Sequence, residues 1–162
     1  MTTLQDERER IVKEYSKTVW RIALSRTRRE ESAEEVYQET FLRYFRKERT
    51  FETEEHRKAY IIRITLNCCK TYLASALGRE NLSLDEVSNT LILPEEKKGV
   101  LAALLRLPAK YRIPIELHYI EGLTADECAM ALKLRPGAFR TRLSRAKALL
   151  KEELKGENIY VE

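Results

Sequence analysis

The sequence predicts an all-α protein built as two small helical blocks. Apolar residues recur at helical spacing through most of the 162 residues, glycine and proline number only 5 and 4, and 35% of the residues are charged, which suits helices with one solvated face. That length fits one domain or two small ones. A hydrophobic content of 43% is enough for packed cores.

The first helix is expected over residues 4–28, where Leu4, Ile11, Val12, Tyr15, Val19, Trp20, Ile22, Ala23 and Leu24 repeat with the helical period. A second is expected from Ser32, which forms a capping-box pattern with Glu35 ahead of the stripe Val36, Phe41, Leu42 and Phe45. A third spans residues 54–77. The pattern then dissolves into "GRENLSLDEVSNTLILP", residues 78–94, with turn formers and scattered hydrophobics and no sustained period, so a flexible linker is expected there. Further helices follow over residues 95–107, from 108 or 109 to 120, over 124–132 and over 136–154. The blocks are therefore residues 1–77 and 95–162. No internal repeat or low-complexity tract is present.

A net charge of +4 permits a nucleic-acid partner without requiring one. Its distribution says more. Acids gather at Glu30, Glu31, Glu34, Glu35 and Glu39, whereas Lys133, Arg135, Arg140, Arg142, Arg145, Lys147 and Lys151 follow one another with no acid between them. Cys68, Cys69 and Cys128 have neither CxxC nor Cys/His ligand spacing, so no metal is expected, and buried free thiols in a reducing compartment fit them. His56 and His118 lie in different blocks, outside any nucleophile, metal or phosphate-loop pattern. No catalytic residue and no cofactor is expected. Trp20 reads as a core anchor and His118 as a packing or capping residue. No secretory h-region opens the chain and no apolar run reaches the roughly 20 residues that span a bilayer, which points to the cytoplasm.

The densest signal lies in "GLTADECAMALKLRPGAFRTRLSRAKALLKEEL". Thr124 and Glu127 form a capping box, Ala129 is small enough for a close helix crossing, Leu134 can plug a short corner, and Pro136 suits the first turn of a new helix. On that last helix Phe139, Leu143, Ala146 and Leu150 fall on one side. The opposite side carries Gly137, Ala138, Thr141, Ser144 and Arg145, with Arg140 and Arg142 on its flanks and Arg135 just before it. Two readings fit: a solvated basic face, or a helix whose small residues approach base edges while its arginines reach phosphate or guanine.

The third helix divides similarly, with Ile62, Thr65, Leu66, Cys69 and Leu73 on one side and Tyr60, Arg63, Asn67, Lys70, Thr71 and Ala74 on or near the other. That outward face is either plainly solvated or a surface for unstacked bases and phosphates. The acidic second helix is either favoured by its own dipole or a docking surface for a basic partner, with Gln38 and Leu42 sharing a face.

At this point the chain resembles a family. "LPAKYRIPIELHYIEGLTADECAMALKLRPGAFRTRLSRAKALLKEEL" is similar to region 4, and "AEEVYQETFLRYFRK" with "KAYIIRITLNCCKTYL" to region 2, of the extracytoplasmic-function (ECF) group of bacterial sigma-70-type RNA polymerase sigma factors. The resemblance implies a σ2-like helical bundle at residues 1–77 that binds core polymerase and the −10 element, and a σ4-like helix-turn-helix domain at residues 95–162 that binds the −35 element. It implies that Glu35, Gln38, Glu39 and Leu42 meet the β′ clamp helices, and that Tyr60, Arg63, Asn67, Lys70 and Thr71 meet −10 DNA. On the same basis Arg135, Gly137, Ala138, Arg140, Thr141, Arg142, Ser144 and Arg145 read the −35 element. Core polymerase through its β′ clamp helices and β flap, promoter DNA and an anti-sigma factor are the implied partners.

The chain departs from the family at Tyr60, where Trp is common, at Thr71, where Asp is common, and at Ala74, where a basic residue is common. Ala138 stands where Thr is usual and Phe139 where Val is usual. The expected function is promoter recognition on behalf of a polymerase, not catalysis. The alternatives are a stand-alone helix-turn-helix regulator and a sigma-like interaction protein with weakened promoter melting.

Overall fold

A computed structural model describes residues 3–47, 49–79 and 99–156. They form two compact units, one within residues 1–91 and the other within residues 92–162. Among the described residues every regular element is helical.

In the first unit α1 (Leu4–Thr27), α2 (Glu30–Arg46) and α3 (Glu54–Arg79) each pack on the other two. Thr3 and Asp6 form a reciprocal capping box at the start of α1. At its other end Arg28 turns to φ 64° and donates its N–H to the Leu24 carbonyl, which stops the helix and sends the chain into α2. Val19, Ala23, Ala33, Val36, Ile61 and Cys69 make the centre of the core. Threonines at buried positions are satisfied within their own helices: Thr27, Thr40 and Thr65 donate to the carbonyls of Ala23, Val36 and Ile61 at 2.7, 2.7 and 2.8 Å.

The expected capping box at Ser32 is not formed. Helix α2 starts at Glu30, and Ser32 lies inside it, buried, with its hydroxyl donating to the Tyr72 hydroxyl of α3 at 3.0 Å. The acids Glu30 and Glu31 in the first turn favour the positive end of the helix dipole in place of a side-chain cap. Helix α3 runs to Arg79, two residues beyond its expected end. The remainder of the expected linker lies outside the described residues.

The second unit contains α4 (Val100–Arg106), α5 (Ala109–Ile115), a π-helical turn (Glu116–Ile120), α6 (Ala125–Leu132) and α7 (Pro136–Gly156), with α7 packed on α4, α5 and α6. Helix α4 begins after Gly99, and residues 95–98 of its expected span lie outside the described residues. The segment expected as a single helix to residue 120 changes character after Ile115. Pro114 has no N–H to donate, and the wider i→i+5 turn follows it, with the Glu121 N–H on the Glu116 carbonyl at 2.9 Å. Arg112, 1% exposed, straps this corner: it donates to the Leu107 carbonyl at 2.5 Å and sits 3.8 Å from Glu116 one turn on.

Candidate nucleic-acid interface

Helix α6 is fixed at both ends. Thr124 and Glu127 form the expected capping box, at 3.1 and 2.9 Å. At the far end the Leu134 N–H donates to the Ala129 carbonyl and the Lys133 N–H to the Met130 carbonyl, a Schellman closure that puts Lys133 at φ 57°. Ala129 is buried, and Pro136 opens α7 as expected.

On α7 the expected division of faces holds. Phe139, Leu143, Ala146 and Leu154 are buried and Leu150 is half-buried. Gly137, Ala138, Arg140, Thr141, Ser144 and Arg145 are exposed, as is Arg135 ahead of the helix, while Arg142 is partly covered. Thr141 donates its hydroxyl back to the Gly137 carbonyl at 3.1 Å, and the hydroxyl oxygen keeps its capacity to accept. A Cβ built on Gly137 meets nothing within 4 Å, so the backbone there is open to close approach.

The first unit places its candidate residues on a groove between α2 and α3 and along the outer face of α3. Glu35, Gln38, Glu39 and Leu42 of α2 line one open groove of about 560 Å³ with Arg43, and with Cys68, Thr71, Tyr72, Ala74 and Ser75 of α3. Leu42 is 59% exposed beside an ion pair in which Arg43 donates to Glu39 at 2.9 Å. Thr71 is exposed and lines this groove, and its hydroxyl is turned back onto the Asn67 carbonyl at 3.0 Å.

Along the outer face of α3, Lys70 is exposed whereas Arg63 and Asn67 are half-buried. Tyr60 is half-buried in an aromatic cluster, with ring centroids 6.2 Å from Tyr44 and 5.4 Å from Phe51, and the Arg49 guanidinium lies over its ring at 4.8 Å. The buried sector of α3 is wider than the five residues expected, because Ala59, Ile61, Ile64 and Cys68 are buried as well. The reason is geometric: α3 packs against both α1 and α2, so its two flanks are covered along with its inner edge. Arg49, in the connection before α3, is a contributor that helical periodicity could not reveal.

The thiols are buried and unpaired with one another. Burial pushes the pKa of Cys69 and Cys128 up to about 12 and raises that of Cys68. No helix among the described residues is long and apolar enough to cross a membrane.

Family models describing sigma-70 region 2 and sigma-70 region 4 match residues 11–78 and 97–150. A probable RNA polymerase sigma factor RfaY of Xanthomonas campestris pv. campestris is 30% identical over 158 residues, covering 90% of this chain. This chain spans only 40% of that relative's length. The ECF RNA polymerase sigma factor SigW of Bacillus subtilis is 25% identical over 169 residues, covering 93% of this chain and 90% of the relative. Among solved structures, the sigma factor RpoE from Bartonella quintana, crystallised with the anti-sigma factor NepR, matches with a TM-score of 0.73 at 22% identity, over 91% of this chain and 96% of that one. CnrH, solved with the cytosolic domain of CnrY, matches with a TM-score of 0.65 at 23% identity, over 94% and 90%. At these identities the two structures speak to the fold.

Proposed function

Because the chain belongs to the ECF group of sigma-70 factors, RNA polymerase subunits that direct promoter-specific initiation, we propose that α7 reads the −35 element and α3 the −10 element. The observation that carries this reading is the division of α7. Four buried side chains hold it to its unit while a strip of glycine, alanine, threonine and serine faces outward between arginines. Small residues let the backbone sink into a major groove, and arginine supplies bidentate contacts to guanine or salt-like contacts to phosphate.

In this proposal residues 1–77 dock on core polymerase and residues 95–162 carry the helix-turn-helix. The α2–α3 groove takes the β′ clamp helices through Glu35, Gln38, Glu39 and Leu42, where an exposed leucine ringed by carboxylates suits a helix with an apolar anchor and basic surroundings. Arg63, Asn67 and Lys70 take the −10 strand, with Tyr60 and Arg49 as a stacked edge beside them. The β flap is the second contact on the polymerase. Two weak modules held on one enzyme raise each other's effective concentration, so specific DNA binding depends on the polymerase. The chain works in the cytoplasm and performs no reaction of its own, and an anti-sigma factor is proposed as its regulator.

The test is transcription with core polymerase and either Arg142→Ala or Arg145→Ala. Promoter output should fall while core binding persists; loss of both together would mean misfolding, and loss of neither would remove α7 from the reading. A second reading, a sigma-like protein that docks on polymerase but melts promoters weakly, is favoured by Thr71, whose short hydroxyl is bonded to its own helix, and by Ala74. It predicts core binding without a discrete transcript.

A further inference from the structure

Helix α7 carries more cations than the shoulder with Arg142 and Arg145 accounts for. At about 100° per residue, Lys147 and Lys151 lie about 20° to either side of Arg140. They form one exposed ridge on the shoulder of the Gly137, Thr141 and Ser144 strip, opposite the shoulder that carries Arg142 and Arg145. No acid stands between Lys133 and Lys151 to neutralise either shoulder, and Lys147 and Lys151 repel each other at i, i+4.

One of these cations is held in place from outside its own helix. The Lys147 ammonium lies 5.2 Å from the centroid of the Tyr119 ring, and Tyr119 is itself 54% exposed. Tyr119 sits in the π-helical turn after Pro114, and its ring meets that of His118 edge-on at 4.8 Å. His118 is pinned in turn by its Nδ1, which lies 2.8 Å from the Leu123 carbonyl and donates to it. An exposed tyrosine that contributes nothing to the core thus has its face fixed toward the recognition helix. A lysine stem loses rotamer freedom when it grips an anion, and a ring that already restrains the stem reduces that loss while leaving ammonium protons free to donate.

We infer that Arg140, Lys147 and Lys151 form a second phosphate-binding edge of α7, and that Tyr119 is a positioning residue for Lys147. The inference rests on α7 being the −35 reader. A helix in a major groove has a phosphate strand on either side of it. Arg142 and Arg145 serve one wall, and the Lys147 edge serves the other, fixing the helix's register without reading a base.

The experiment uses the full chain on core polymerase and a promoter fragment identified by run-off transcription, with equilibrium binding measured across a series of KCl concentrations. Lys147→Met should weaken binding severalfold and lower the log–log salt slope by about one, as expected for one lost phosphate contact. Tyr119→Ala should weaken binding about threefold at fixed salt, Tyr119→Phe should restore it, and Tyr119→Ala should add nothing in the Lys147→Met background. An unchanged slope in Lys147→Met overturns the second edge. An equal loss from Tyr119→Ala with or without Lys147 makes Tyr119 merely structural. If Arg145→Ala abolishes promoter binding while Lys147→Met behaves as wild type, this inference alone fails; if the wild-type complex shows no specific binding, the −35 reading fails and takes this one with it.

Discussion

The Tyr15 hydroxyl donates to the Glu54 carboxylate at 2.5 Å, tying the middle of α1 to the first turn of α3. Glu54 also pairs with Arg57 at 3.3 Å, and Arg57 donates to the Tyr44 hydroxyl at 2.6 Å, so one polar chain joins all three helices of the first unit. The Tyr15 hydrogen bond, and after it the Arg57 charge, holds the Glu54 carboxyl below its ordinary pKa. A depressed carboxyl contributes stability above its unfolded pKa and loses it as pH falls through the folded one. Tyr15→Phe should cost about 1 kcal/mol at neutral pH, discounted because Glu54 is half in solvent, and the difference should shrink below about pH 4. Urea denaturation followed by the fluorescence of Trp20, the one tryptophan of the sequence and a residue of this unit, measures both.

Leu42 separates docking from folding. It is 59% exposed, so Leu42→Asp should change the unfolding free energy, measured in urea, by no more than about 0.5 kcal/mol. Core-polymerase affinity should fall at least about tenfold, since a charge replaces the apolar anchor of the groove. Surface-immobilised core polymerase with wild-type and variant chains in solution provides the comparison.

Gly137 sets stability against binding. Its Cβ position is open and its backbone is helical, so Gly137→Ala should stabilise α7 by about 0.5 kcal/mol, seen as slower amide exchange through the helix. The same methyl group stands where a groove floor would approach, so promoter affinity of the polymerase complex should drop by about tenfold. A stabilised α7 with undiminished affinity would mean that this end of the helix stays clear of DNA.

The thiols report packing. With burial holding Cys69 and Cys128 near pKa 12, neither should react with a disulfide reagent at pH 8 in the folded chain, and all three cysteines should react once urea unfolds it. Raised thiol pKa values also make the fold lose stability as pH rises above about 9, because the unfolded thiols ionise first. Rapid labelling of Cys69 or Cys128 at pH 8 in native buffer would contradict the packing described.

What the sequence reveals follows the range of each interaction. The Thr124–Glu127 cap and the Phe139, Leu143 and Ala146 stripe are local, set by residues three or four apart, and the structure has them where periodicity puts them. Ser32 was unreadable in the same way, since the capping pattern is local but the hydroxyl's actual partner, Tyr72, is forty residues off. Thr71 is exposed as its angular position predicts, but the groove it lines exists only once α2 and α3 are packed, and no single helix shows that. The Tyr119 contact depends on a π turn that shifts the ring's direction, and a 3.6-residue period has no means of showing that.

The central claim is that this chain confers promoter choice on a bacterial polymerase. Run-off transcription with purified core polymerase over genomic fragments tests it most directly. Discrete transcripts should appear that require the chain and weaken with Arg145→Ala; a chain that neither binds the core nor yields a discrete start site would not be a promoter-specificity subunit.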